Sequence, residues 1–196
     1  MKNASKKISP KQSGFGMIEV LVTLVILLLG LLGLVGMMLV SQRAEMESYQ
    51  RVQALMLLQD MVGRVNANRK VASCYAITTG AATGAPYLGA SSSITTPTCT
   101  TGTAEQNSLA IKDMQDWNAL LLGGAESAGG NAVGAMIGAR GCVSLDAATG
   151  IYQVSVAWQG NGQTAAPTGV VCAKDQYGDD KQRRAVSVTL RIADLS

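Results

Sequence analysis

Between Met17 and Val40 the chain is apolar throughout and carries a single charge, Glu19. This run of 24 residues exceeds the ~20 needed to cross a bilayer as a helix. Its side chains cannot all be buried in a small water-soluble fold, so the segment belongs in a membrane or in the apolar core of an assembly. A carboxylate near the edge of hydrocarbon is costly unless something pairs with it. Glu19 at the mouth of the segment therefore points to a function.

Residues 1–14 form a basic leader with Lys2, Lys6, Lys7 and Lys11, no acid, and a break at Pro10, Ser13 and Gly14. The distribution resembles the charged region of an export signal. Here the basic part stops at Gly14 and the apolar part begins after it. Four lysines before the span, and no cation after it until Arg43, place the N-terminus in the cytoplasm and the remainder outside. A plain single-pass anchor with an uncleaved basic tail is the simplest reading of hydropathy alone.

The formal net charge is +3, and removal of the four leader lysines leaves +3 − 4 = −1. The basicity is thus a property of the leader. A nucleic-acid partner would need a basic stripe in the folded part; Arg69-Lys70 and Arg183-Arg184 are too short for one and read as solvated faces.

From residue 41 to 70 the chain turns polar but stays periodic. Val52, Leu55, Leu58, Val62 and Val65 recur at three- and four-residue steps, with Glu45, Glu47, Arg51, Gln59, Asp60 and Arg64 mostly between them. No proline stands between Pro10 and Pro86. One continuous helix from Met17 to about Arg69, roughly 80 Å long at 1.5 Å per residue, is expected. Its first half is apolar all round, and its second half needs a layer to cover one stripe. Gly30, Gly33 and Gly36 interrupt the apolar half; they are either tolerated glycines or a soft section that bends during packing.

Residues 71–140 are rich in Ala, Gly, Ser and Thr, with loops expected at 81–93 and 123–138. A short helix is expected over 108–122. Ile111, Met114, Trp117, Leu120 and Leu121 line one side of it, Lys112, Asp113 and Asp116 the other, and Trp117 reads as a packing anchor. From residue 141 to 196 the pattern alternates with period two: 142–145, a turn at Asp146–Gly150, 151–158, a brief strand at 170–173, and 185–192. An antiparallel sheet with one buried face follows, and the whole chain reads as α+β.

The four cysteines are Cys74, Cys99, Cys142 and Cys172, and no Cys-x-x-Cys and no histidine is present. Zinc and thioredoxin-type sites therefore lack their ligands, whereas an even number outside the membrane fits disulfides. Three connectivities are open. Cys74–Cys99 with Cys142–Cys172 is favoured because each closes one local segment, adding ~3 kcal/mol per bridge in the loop-entropy picture. Catalysis has little support: there is no histidine to activate a nucleophile, no phosphate loop, and Asp175, Asp179 and Asp180 lack calcium-loop spacing.

Gly14-Phe15-Gly16-Met17-Ile18-Glu19, followed by Val-Leu-Val-Thr-Leu-Val-Ile-Leu, resembles the class III signal of type IV pilins and pseudopilins. Over residues 14–36 it is most similar to the PilV family of minor pilins. The resemblance implies cleavage after Gly14 by a prepilin peptidase, which also methylates the new amine of Phe15. Glu19 becomes the fifth mature residue, one helical turn from that amine, and pairs with the Phe15 amine of a neighbouring subunit. It further implies a pilin fold, in which the long helix packs on the C-terminal sheet and 71–140 is the variable αβ-loop. The implied partners are other minor pilins, the major pilin, a tip adhesin and the inner membrane. Neither cofactor nor metal is implied, and no nucleic acid. Where major pilins often carry proline at the twenty-second mature position, this chain has Gly36. A pseudopilin of a type II secretion system is the alternative, and a membrane-tethered enzyme a more distant one.

Overall fold

The computed structural model describes residues 16–91, 94, 99–125, 127–129, 131–132, 134 and 136–193. The chain divides into two compact units, Met1–Ala44 and Glu45–Ser196. In the first, helix α1 (Met17–Ala67) begins and runs uninterrupted through Gly30, Gly33 and Gly36. Every described side chain up to Met46 is exposed, including the entire aliphatic run. A Cβ at Gly30, Gly33 or Gly36 would meet no tertiary neighbour within 4 Å, so no packing contact among the described residues requires these glycines.

The second unit is built from the remainder of α1, a 3-10 helix (Arg69–Tyr75), helix α2 (Ala104–Leu121), a two-residue ladder of β1 (Ser127–Ala128) with β2 (Asn131–Ala132), and strands β3 (Arg140–Asp146), β4 (Ile151–Gln159) and β5 (Arg183–Arg191). The last three form an antiparallel sheet in the order β3-β4-β5. The sheet follows the expected α+β architecture: α1 past Glu45 and α2 bury apolar side chains with its inner face. Ala54, Leu58, Met61 and Val65 from α1 join Ala110, Met114, Trp117 and Leu121 from α2, Val143 from β3, and Tyr152, Val154, Val156 and Trp158 from β4.

Several expectations need correction. Val52 and Leu55 are 46 % and 40 % exposed, and the buried line is Gln50, Ala54, Leu58, Met61 and Val65. The small Ala54 lets the helix approach where a larger residue would hold it off, so the true seam is rotated from the most apolar one. Helix α2 starts at Ala104, four residues before the expected start, because Thr103 and Gln106 form a reciprocal capping box. Asp113 is not on a solvent face but buried. The segment 170–173 is no strand: Cys172 onward is turn, and Ala173 and Asp175 take φ of 51° and 60°. The 123–138 region, expected as loop, contains the short β1–β2 ladder. Finally, the centre of β4 is buried on both faces, because the 160–182 connection covers the outer one with Val170, Cys172, Ala173 and Tyr177 against Cys142 and Ala157.

Trp117 sets the spacing of helix and sheet. It is fully buried, and its indole Nε1 donates to the Leu57 carbonyl at 2.9 Å. Its ring lies over Gly141 of β3, where any Cβ would intrude on the ring and on Leu121. Gly141→Ala is therefore expected to destabilise this unit by about 2 kcal/mol through overpacking. Urea unfolding of the full chain in detergent micelles, followed by tryptophan fluorescence, measures it. An unchanged midpoint would mean that the ring can withdraw.

Candidate assembly site

The first turn of α1 carries the feature that stands out in the sequence. Gly16 is the last residue before the helix, and its carbonyl accepts from the Glu19 amide at 2.9 Å and from the Val20 amide at 3.4 Å. Glu19 thus sits in the first turn, where the unpaired amide groups favour an anion. Its carboxylate is exposed and forms no ion pair among the described residues. The one hydroxyl in the early apolar run is satisfied locally: Thr23 Oγ1 donates to the Val20 carbonyl at 2.8 Å. Among the described residues of the apolar run, Glu19 is left as the one charged group, without an ion-pair partner. Gly14 and Phe15, the residues of the expected cleavage and methylation, lie outside the described residues.

Two disulfides stand in the second unit. Cys74 joins Cys99 with Cα atoms 5.4 Å apart, and Cys142 joins Cys172 with Cα atoms 5.7 Å apart. The first ties the end of the 3-10 helix to the segment leading into α2. The second ties β3 to the 160–182 connection.

Two polar clusters that the sequence left unread hold this unit together. Arg64 on α1 donates to Asp60 and to Asp113 on α2, both at 2.8 Å, and Tyr75 donates to the other Asp113 oxygen at 2.6 Å. Asn68 completes the cluster by donating to Tyr75 Oη and to the Gln106 carbonyl. Burial works against the Arg64 charge, but the bonds to Asp60 and Asp113 outweigh it and hold the guanidinium above its ordinary pKa. Burial, then donation to Asp113, pushes the Tyr75 hydroxyl up. In the second cluster, Arg183 is 1 % exposed, so the expected solvated face is not what the structure has. Its guanidinium grips Asp180 at 2.6 and 2.9 Å and donates to the carbonyls of Val170 and Cys172. Those carbonyls are thereby satisfied without a strand. Arg184 instead donates to Glu47 of α1 at 3.0 Å.

A cleft of about 670 Å³ opens beside the 3-10 helix, lined by Arg69, Lys70, Ser73, Tyr152 and Ile192 among others, with no acid and no cysteine among the described residues of its wall. Among the described residues no group of three or more histidine, cysteine or acidic side chains is placed to hold a metal.

Residues 9–35 match the family described as the prokaryotic N-terminal methylation motif. The match encloses Gly14, Phe15 and Glu19 and supports the type IV pilin and pseudopilin family, whose members are structural and not enzymatic. It implies processing by a prepilin peptidase and association with membrane or pilus, and with the apolar helix it fits a membrane-anchored pilin. No curated protein and no solved structure matches the chain.

The hydrogen bond from Arg183 holds the Asp180 carboxyl below the usual carboxylate range. A depressed folded pKa contributes stability that is present above the unfolded value of ~3.9 and is lost as pH falls through the folded value. Asp180→Asn, which leaves a buried guanidinium unpaired, is expected to cost about 3 kcal/mol at neutral pH. Thermal melts from pH 7 down to 2 should show the wild-type advantage over this variant shrinking below pH 4. A constant difference across that range would refute the assignment.

Proposed function

We propose that this chain is a minor pilin of the PilV type, which takes part in initiating type IV pili and enters the filament at low copy. The observation that carries this reading is the methylation motif running directly into a helix whose exposed apolar surface bears one unpaired acid, Glu19, in its first turn. On this reading residues 1–14 are removed after Gly14, and Phe15 becomes the methylated N-terminus. Residues 15–40 cross the inner membrane and later enter the filament core. Residues 41–70 continue the helix, 71–140 form the variable region, and 141–196 form the sheet of the head.

The chemistry supports a role for Glu19 in register. Cleavage exposes an amine at Phe15, and a neighbouring subunit sliding past it presents the Glu19 carboxylate. Each group alone in an apolar core is penalised by several kcal/mol, so the pair selects one axial position more than it adds stability. The partners on this reading are the prepilin peptidase, other minor pilins, the major pilin and a tip adhesin. The chain resides in the inner membrane, N-terminus in the cytoplasm and head in the periplasm, and moves to the cell surface on assembly.

The same signal serves the pseudopilins of type II secretion, so the decisive test is genetic. A strain lacking the chain is assayed for sheared surface pili and for secreted proteins. Loss of pili with normal secretion supports the minor-pilin reading, and the reverse result assigns the chain to secretion. Glu19→Ala is expected to be cleaved normally but to appear in sheared filaments at a small fraction of the wild-type amount. Immunoblots of membranes and filaments report both steps, and wild-type incorporation of the variant would remove Glu19 from the mechanism.

A further inference from the structure

The two edges of the three-stranded sheet are treated differently. The Gly160 amide donates to the Gln182 carbonyl at 2.8 Å, just beyond the last β4–β5 pair, and antiparallel ladders alternate. The pairs Trp158/Arg184, Val156/Val186, Val154/Val188 and Tyr152/Leu190 are therefore the hydrogen-bonded ones, and Ala185, Ser187 and Thr189 turn their N–H and C=O groups away from β4. On β3 the equivalent outward groups are covered over Gly141 and at the Val143 carbonyl. Gly141 exchanges both bonds with Leu88, at 2.8 and 3.0 Å, and the Val143 carbonyl accepts from the Thr78 amide at 2.8 Å. On β5 the outward backbone groups of Ala185, Ser187 and Thr189 have no partner among the described residues.

Exposed edges are normally guarded by lysine, proline, a bulge or shortness. From Ala185 to Leu190 the strand is uncharged, free of proline, and paired in unbroken register with β4. The apolar inner face also stops short there. Val154 is fully buried, whereas its partner Val188 is 36 % exposed. Arg191 at the end of the strand is exposed and has no ion-pair partner among the described residues.

We propose that β5 is an acceptor for a strand from another subunit, an extended segment of alternating apolar side chains lying antiparallel to Ala185–Leu190 with a carboxylate opposite Arg191. Only another extended backbone presents donors and acceptors at the spacing of the unpaired groups. Its apolar side chains would cover Val188 and continue the inner face by one strand. A second copy of β5 fits poorly, since that strand contains arginines at both ends and no acid. The inference rests on the assembly reading, which supplies the neighbouring subunit.

The test uses the full chain in detergent micelles and one probe, the capped peptide Glu-Val-Thr-Val-Thr-Val-Thr. Its glutamate falls opposite Arg191 and its valines on the side of Val186, Val188 and Leu190. Saturating peptide should slow amide exchange at Ala185, Ser187 and Thr189 by about tenfold or more, with little change at the amides already bonded to β4. Ser187→Pro, which removes one outward N–H and no β4 bond, should abolish the slowing while the melting temperature stays near wild type. Ser187→Ala should retain it. Thr189→Pro replaces the first proline variant if that one fails to fold. Absence of slowing, equal slowing at all β5 amides, or protection that survives the proline overturns the proposal. Protection that grows with protein concentration without peptide also overturns it, in favour of self-pairing. None of these readings requires a pilus, so failure here is separable from failure of the assembly assignment.

Discussion

One helix in this protein must satisfy two solvents. The part up to Ala44 offers apolar side chains on every side, and none of the described residues of its own unit covers them. Each large aliphatic residue left in water forgoes roughly 1.5–3 kcal/mol of burial free energy, so the segment is stable only in lipid or among other helices. The part beyond Glu45 is ordinary by contrast, with one buried line and a polar remainder. Helix α2 and the inner face of the sheet receive that line.

The receiving surface depends on close approach and on polar matching together. Gly141 lets the Trp117 ring lie directly on β3, which brings α2 down onto the sheet. The Arg64–Asp113–Tyr75 cluster then links α1, α2 and the 3-10 helix with charge-assisted bonds in a largely buried setting. Such clusters fix geometry better than they add net stability, because desolvation offsets much of their attraction. A single alternative rotation of α1 would bury Val52 and Leu55 instead, but it would carry Arg64 away from Asp113.

The long helix, the α+β layering, the hairpin at Asp146–Gly150 and the two main later strands were legible, because hydrophobic period and turn chemistry are local signals. The rotation of α1 was not legible: Ala54 and Gln50 are weak in any hydropathy pattern, and their burial is decided by the sheet they meet. The Thr103-x-x-Gln106 cap is a local signature that could have extended α2 by its first turn. Arg183 gave no such sign. A doubled arginine reads as surface until the 160–182 connection folds back and supplies carbonyls and Asp180. At the site, Glu19 stood out as the lone acid at the mouth of an apolar run, while the motif was legible only through its resemblance to the class III signal. The open edge of β5 depends on which strand is outermost, and topology, not sequence, decides that.

The pinning of the 160–182 connection has a consequence for how this surface can change over evolutionary time. Gly160 is held to Gln182, Thr164 to Lys181, and Val170 and Cys172 to Arg183, with Cys172 also bridged to Cys142. The Gly169 carbonyl also accepts from Gln153 of β4 at 3.3 Å, and residues 165–168 between these anchors are exposed or half-buried. Insertions there would add only about 0.6 kcal/mol of closure entropy for each doubling in length. The strands on either side are registered by their own contacts and would not feel them. This short arc can therefore diversify in sequence and size while the sheet beneath stays constant.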